Sequence, residues 1–328
     1  MLPMAGQFRK MFERASDTPA NNGLLVLGNI DYDAAPAAPD SAAPSPLQML
    51  ADTGTRRDAG QLRAGHVLQW KSLPGFLKEQ EAVTTLYANQ HSDQTGTVLT
   101  GDKASEAAFL TQAPQYGMLH LITHEYFEDP NVKSIAQADV KQDGLSSDAN
   151  GPDPFINTYL PGLLSGLAMA GANRPSDDPE DPRDGILRSS EIEASSMQGV
   201  KLVVLSACET GLGPVAGGEG LTGLQRAFQV AGARSVVASL WKVEDDATLT
   251  LMTEFYTNFW QKKMSKLDAL REAQLTMLRG YNPQTGELTR CLGGKTVPLD
   301  PNKKAADSAT ARLSPRYWAA FQLSGDWR

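Results

Sequence analysis

The sequence predicts an α/β domain with a mostly parallel central sheet covered by helices on both faces. Three observations predict it. Short apolar runs recur along the chain, among them Gly23 to Gly28, Met118 to Ile122, Val200 to Leu205 and Ser235 to Leu240. They alternate with segments of helical period, so that Leu221, Leu224, Phe228 and Ala231 share one face, as do Met252, Phe255, Tyr256 and Phe259. At 328 residues and 41% hydrophobic, the chain suits one large α/β domain or two small ones and can bury a core. Strands alternating with helices imply parallel pairing with both faces covered.

Taken in order, residues 1–22 read as a polar lead-in, and 23–328 as the domain. Gly23 to Gly28 is a buried strand closed by glycine, and Ala34 to Pro46, rich in Ala, Pro, Asp and Ser, is a loop. Leu73-Pro74-Gly75 is a turn from which a helix runs to about Tyr87. Gly96 to Leu99 is a strand, and a helix opens at Asp102 or Lys103. Met118 to Ile122 is a third strand. The long polar stretch Glu128 to Pro154 is more than a connection. Leu163 to Ala170 is apolar, and Asp177 to Asp184 is an acidic loop interrupted by proline. After the strands and helices of the second half, Ser265-Lys266-Leu267-Asp268 has the shape of a capping box for a last long helix. Residues 281–312 read as irregular, and Tyr317 to Leu323 closes the sheet. No internal repeat is visible.

The net charge of −8 argues against a nucleic-acid footprint, which needs a basic face. No apolar run reaches the roughly 18 residues of a membrane span, and the N-terminus lacks the apolar core of a signal peptide. Two cysteines, Cys208 and Cys291, make no disulfide framework in so long a chain. They point to a reducing, cytoplasmic setting in which any thiol chemistry is catalytic.

In an open parallel sheet, sites form beyond the carboxyl ends of strands. His124 follows the strand 118–122, and Cys208 follows the strand 200–205. A thiol attacks as thiolate and needs a neighbour to take its proton, work that imidazole does near neutral pH. The bland alternative for Cys208 is a small buried hydrophobe. His120 lies inside its strand and reads as a satisfied core histidine, and His66 and His91 have no support. The glycine-rich Gly211 to Gly218 could cradle a phosphate, but its spacing fits neither Gly-x-Gly-x-x-Gly nor a P-loop.

Leu119-His120-Leu121-Ile122-Thr123-His124 resembles the His-x-Ala-Thr-His-Gly block of CHAT domains, and Leu205-Ser206-Ala207-Cys208-Glu209-Thr210-Gly211 resembles their Ser-Ala-Cys-Glu-Thr block. Further matching blocks are Leu27-Gly28-Asn29, Leu73-Pro74-Gly75, Gly218-Glu219-Gly220-Leu221, Ala231-Gly232-Ala233, Ser239 to Thr248 and Trp318-Ala319-Ala320-Phe321. The resemblance thus spans most of the chain from about Gly23. It implies a caspase-like three-layer α/β/α sandwich and a cysteine endopeptidase, related to caspases and separases, acting as the effector of a regulated bacterial system. It further implies His124 and Cys208 as the catalytic dyad, with backbone N–H groups at Glu125 and Cys208 holding the oxyanion and no metal or organic cofactor. The partners it implies are a protein substrate and a tetratricopeptide-repeat or other regulatory partner, with neither nucleic acid nor membrane. Ser239, Trp241 and Asp245 would border the substrate, Asp245 lining the pocket for the residue before the cut; alternatively Asp245 only caps the helix that follows.

Two positions depart from the family pattern: Ile122, a packing variation on the strand where the family has alanine, and Glu125, which bears on the chemistry. Glu125 stands where the family usually has glycine, and it could strain a turn, crowd the site or set a negative charge beside the oxyanion. Two other readings therefore stay open: a catalytically weakened interaction domain and a nucleotide-binding α/β domain.

Overall fold

The computed structural model describes residues 23–35, 69–72, 74–92, 96–127, 165–174, 184–209, 219–241, 243–283, 285–291, 295–298 and 312–328. The lead-in 1–22, the polar stretch 128–154, most of the acidic loop and the glycine-rich 211–218 lie outside the described residues.

The central sheet is built from β1 (Leu24–Ile30), β2 (Gly96–Gly101), β3 (Met118–Phe127), β6 (Leu202–Glu209), β7 (Ser235–Ser239) and β11 (Phe321–Gly325), in the order β11-β7-β6-β3-β1-β2. All neighbours are parallel except β11, which runs antiparallel to β7 and closes that edge. Two short strands, β4 (Ser165–Ala168) and β5 (Ile186–Arg188), extend it antiparallel from the far end of β3.

Strand alternation divides the core into two layers. Leu25, Leu27, Leu119, Leu121, Val203, Leu205, Val236 and Ala238 belong to one cluster. It is covered by α2 (Glu106–Gln112), α3 (Ser189–Ala194) and α4 (Glu219–Ala231) through Phe109, Ile192, Leu224 and Phe228. Leu24, Val26, Met118, Ile122, Leu202, Val204 and Val237 belong to the other. That face is covered by α1 (Pro74–Gln90), α5 (Asp245–Tyr256) and α6 (Lys266–Gly280) through Val83, Tyr87, Leu251, Phe255, Ala273 and Met277. The result is a three-layer α/β/α sandwich of the caspase-like kind.

Several boundaries differ from the sequence reading. β3 does not stop at Ile122 but runs to Phe127, and β6 runs on to Glu209. α2 opens not at Asp102 or Lys103 but after Ser105, whose side chain accepts from the Ala108 N–H. Residues 281–312 are not wholly irregular: β8 (Tyr281–Asn282), β9 (Glu287–Cys291) and β10 (Lys295–Pro298) form a small antiparallel sheet. A short helix, α7 (Pro315–Trp318), precedes β11. The Ser265 cap is as expected, its hydroxyl accepting from the Asp268 N–H at 3.1 Å.

Candidate active site

β3 and β6 are central neighbours, paired in unbroken register from Met118↔Leu202 to Glu125↔Glu209, and this sets His124 directly opposite Cys208. Adjacent strands lie about 4.8 Å apart, so the two backbones are as close as a sheet permits. Position 208 shares strand parity with Leu202, Val204 and Ser206. Both candidates sit inside their strands near the carboxyl ends, rather than after them as the sequence reading had it.

His124 is buried in an aromatic cage. Its ring stacks on Trp70 (centroids 5.4 Å, planes 27° apart) and meets Tyr32 at 5.4 Å and Phe76 at 5.6 Å. Nε2 lies 2.8 Å from the Lys71 carbonyl, which only accepts, so Nε2 carries the hydrogen. In the neutral ring the basic lone pair is then on Nδ1, and the orientation of the imidazole is set by its partner on the other nitrogen.

Asn173 holds the segment that supplies this carbonyl. Its Oδ1 accepts from the Trp70 N–H at 2.6 Å, and its Nδ2 donates to the Trp70 carbonyl at 2.9 Å and to Asp33 at 3.0 Å. The Asn173 N–H donates to the Tyr32 carbonyl at 2.8 Å. The Tyr32 hydroxyl reaches Thr123 at 3.3 Å, and burial pushes its pKa up to about 12 against the opposing hydrogen bonds to Thr123 and the His124 backbone. Thr123 in turn donates to the Ala168 carbonyl on β4. Tyr32, Trp70, Lys71 and Asn173 were missed at the sequence level, since each is a single loop residue without periodic signal. The aromatic types at 32 and 70 were the one hint.

Below the pair lies a buried polar network. Glu79 of α1 accepts from Ser206 of β6 at 3.0 Å and meets Nε2 of His120 at 3.1 Å, and Nδ1 of His120 meets the Tyr256 hydroxyl at 2.9 Å. All four are buried. His120 is therefore the satisfied core histidine that its position predicted. Burial and the nearby Glu79 carboxylate together push the Tyr256 phenol well above its usual range, so it stays protonated. Glu79 ties β3 to β6 two to four residues before the candidate dyad.

Two glycines explain how α1 approaches so closely. A Cβ on Gly28 would come within 2.9 Å of Gln80 and 3.3 Å of Ile122. A Cβ on Gly75 would overlap the Asp245 side chain, its Cβ as well as its carboxyl group. Asp245 is thus not the cap of its own helix: Glu244 occupies that position, and Asp245 is the first helical residue, its carboxylate lying against the first turn of α1, where the helix dipole favours a negative charge.

The remaining candidates are placed as follows. Ser239 is buried at the end of β7, its hydroxyl donating to the Trp241 carbonyl. Trp241 is half-buried and donates from Nε1 to the Arg316 carbonyl at 3.1 Å. The Leu240 N–H already donates to the Ala320 carbonyl, so β11 occupies the edge of β7 that an extended substrate would need there. Glu125 is buried in β3, paired with Glu209 on one side and Leu167 on the other. Its φ is not among the positive values found, so the expected strained turn does not exist, and the backbone at 125 has no need of glycine. Among the described residues there is no group of three or more His, Cys, Asp or Glu able to hold a metal, and no helix long and apolar enough to cross a membrane.

No curated protein matches the chain significantly. The CHAT domain model matches residues 3–326, nearly the whole length, and it does so over a three-layer sandwich whose two central strands pair His124 with Cys208. The chain belongs to the CHAT domain family, which is associated with caspase-like cysteine peptidase activity.

Proposed function

We propose that this protein is a cysteine endopeptidase in which Cys208 is the nucleophile and His124 its proton carrier. The observation that carries the reading is the register that pairs His124 with Cys208 across β3 and β6. With Nε2–H given to the Lys71 carbonyl, Nδ1 is the nitrogen that takes the thiol proton. The sulfur then bonds to the scissile carbonyl carbon, and the oxyanion accepts from the backbone N–H of Cys208; Glu125, flanked by Glu209 and Leu167, has its N–H inside the sheet. The imidazolium returns its proton to the leaving amine as the C–N bond breaks, leaving a thioester. Water attacks that thioester, giving its proton to Nδ1, and the thiolate departs and is reprotonated. Asp245 and Trp241 would border the substrate, which is a protein partner.

A second reading, an interaction domain with weakened chemistry, is favoured by Glu125. That residue follows His124 directly in β3, opposite Glu209 in register, at the position where the family usually has glycine.

Labelling with a peptide carrying a thiol-reactive ketone separates the two. The first prediction is that the wild type labels and cleaves members of a peptide library, whereas Cys208→Ala does neither and keeps its melting temperature within about 2 °C, because the change removes one small group. Undiminished cleavage by the variant ends the assignment, and a wild type that binds a protein without labelling favours the interaction domain.

A further inference from the structure

At the opposite end of the sheet, where β3, β6 and β7 begin, lies a cavity of about 420 Å³, within the ordinary range for small-ligand sites. Met118 and Leu202 open it, six residues before His124 and Cys208, so it is about 20 Å from the candidate dyad at strand rise. In a chain with a net charge of −8, its lining is strongly basic. Lys201, Arg234, Lys263, Lys266 and Arg328 surround a single carboxylate, Asp326, which is 3.4 Å from Arg328.

These cations differ in exposure: Lys201 and Arg234 are half-buried and Lys263 and Arg328 exposed, whereas Lys266 is held in place. Lys266 is buried, its ammonium fixed by the Ser235 hydroxyl at 2.8 Å and the Asp326 carbonyl at 2.9 Å. Burial, together with Arg234, Arg328 and Lys201 and against the pull of Asp326, pushes its pKa down; burial and Arg234 do the same to Lys201. Concentrating like charge in this way costs stability, and a bound anion would relieve it. The backbone of the wall is also unusual. Thr257–Gln261 forms a π-helical turn, and Lys263 takes φ +55°. Both features recur at binding sites, because they place side chains that a regular helix would not. Here the turn brings Phe259 and Trp260 to the cavity beside Lys263.

We infer that this cavity binds a small molecule carrying two or more phosphate groups, the cations receiving the phosphates and Phe259 and Trp260 walling the remainder. A rod-like nucleic acid is the lesser fit, because the basic residues line a cavity and the protein as a whole is acidic.

The test is titration calorimetry of the full chain with inorganic tripolyphosphate, repeated at rising salt. Saturable 1:1 binding in the micromolar range is expected, weakening as salt rises. The double variant Lys201→Gln/Lys263→Gln changes one half-buried and one exposed residue and should weaken binding at least tenfold without lowering the melting temperature of the free protein. Absence of saturable binding, or equal affinity in the double variant, overturns the inference. So does a DNA duplex that displaces tripolyphosphate and binds more tightly. Thiol labelling plays no part in the measurement, so the outcome is independent of the proposed peptidase activity.

Discussion

Asn173 shows what single residues contribute to the site. It touches neither His124 nor Cys208, yet its amide grips both backbone groups of Trp70, and so fixes the ring that stacks on His124 and the Lys71 carbonyl that orients it. Asn173→Ala should slow acylation of Cys208 by tenfold or more while lowering stability by only about 1–2 kcal/mol, the scale of lost hydrogen bonds. Rapid-quench labelling against urea unfolding of the same protein makes the comparison. A rate loss no greater than the unfolded fraction explains would remove the positioning role. None of this was legible beforehand. The dyad stood out because thiol and imidazole are rare and chemically loud, whereas Asn173 reads as any polar loop residue. Glu79 was equally hidden: a glutamate in a helix reads as solvated, and only the fold reveals that it faces His120 and Ser206.

At the scale of elements, α1 is the piece whose placement the site depends on. It carries Phe76 against His124 and Glu79 beneath it, and its entry is fixed by the contact of Gly75 with the Asp245 carboxylate at the start of α5. Gly75→Ala should therefore displace that carboxylate or the first turn, costing about 1–3 kcal/mol by overpacking and lowering activity as well. The double variant Gly75→Ala/Asp245→Gly removes every Asp245 side-chain atom that the new methyl would meet, the Cβ included, so stability should partly recover; no recovery would mean the clash lies elsewhere. The α2 end carries a different strain. Glu106 is buried, accepts from the Gly185 N–H at 2.8 Å, and has its carboxyl pushed well above the usual range by burial, Glu191 and Asp184, against Arg188. A carboxyl raised in the folded state favours the fold at pH below its unfolded pKa of about 4.3 and loses that advantage as pH rises toward the folded value. Glu106→Gln cannot ionise and keeps the acceptor for Gly185. Its stability relative to wild type should rise between pH 5 and pH 8 in urea titrations; a difference that stays flat with pH would contradict the buried-acid account.

For the molecule as a whole, the sequence made the sandwich readable because both faces of its central strands are buried. Leu24 to Leu27, Leu202 to Leu205 and Ser235 to Ala238 are buried at every position, so they appear as unbroken apolar runs. The ends of β3 and β6 were not readable, since polar His124 and Cys208 interrupt the apolar signal while the backbone ladder continues. Its extension to Phe127 depends on β4, some forty residues further along the chain. The small sheet β8-β9-β10 was missed because its strands are short and partly polar, with Leu288 its one core residue among those whose burial is described. Net charge misled in another way: an acidic total says nothing about where five cations gather.

The long register between β3 and β6 also bears on covalent continuity. The relation of His124 to Cys208 is enforced by eight paired positions, and across the same seam by Ser206 to Glu79 and His120 to Tyr256. The described residues between the two strands, β4 and Asn173 among them, act on that geometry through non-covalent contacts, which do not require the two halves to be joined by a peptide bond. Two separately encoded polypeptides, 1–145 and 146–328, should therefore reassemble when produced together: the first supplies β1 to β3 with His124, its aromatic cage and Glu79, the second Asn173 and Cys208. Expected is co-purification of the pair, with ketone labelling of Cys208 that neither piece gives alone. Pieces that fail to associate, or a 146–328 piece that labels by itself at the same rate, would show that the seam is not what unites the two halves. If reassembly holds, the linkage between the two strands is a place where the chain can be cut, or made to wait for its other half, without loss of the site.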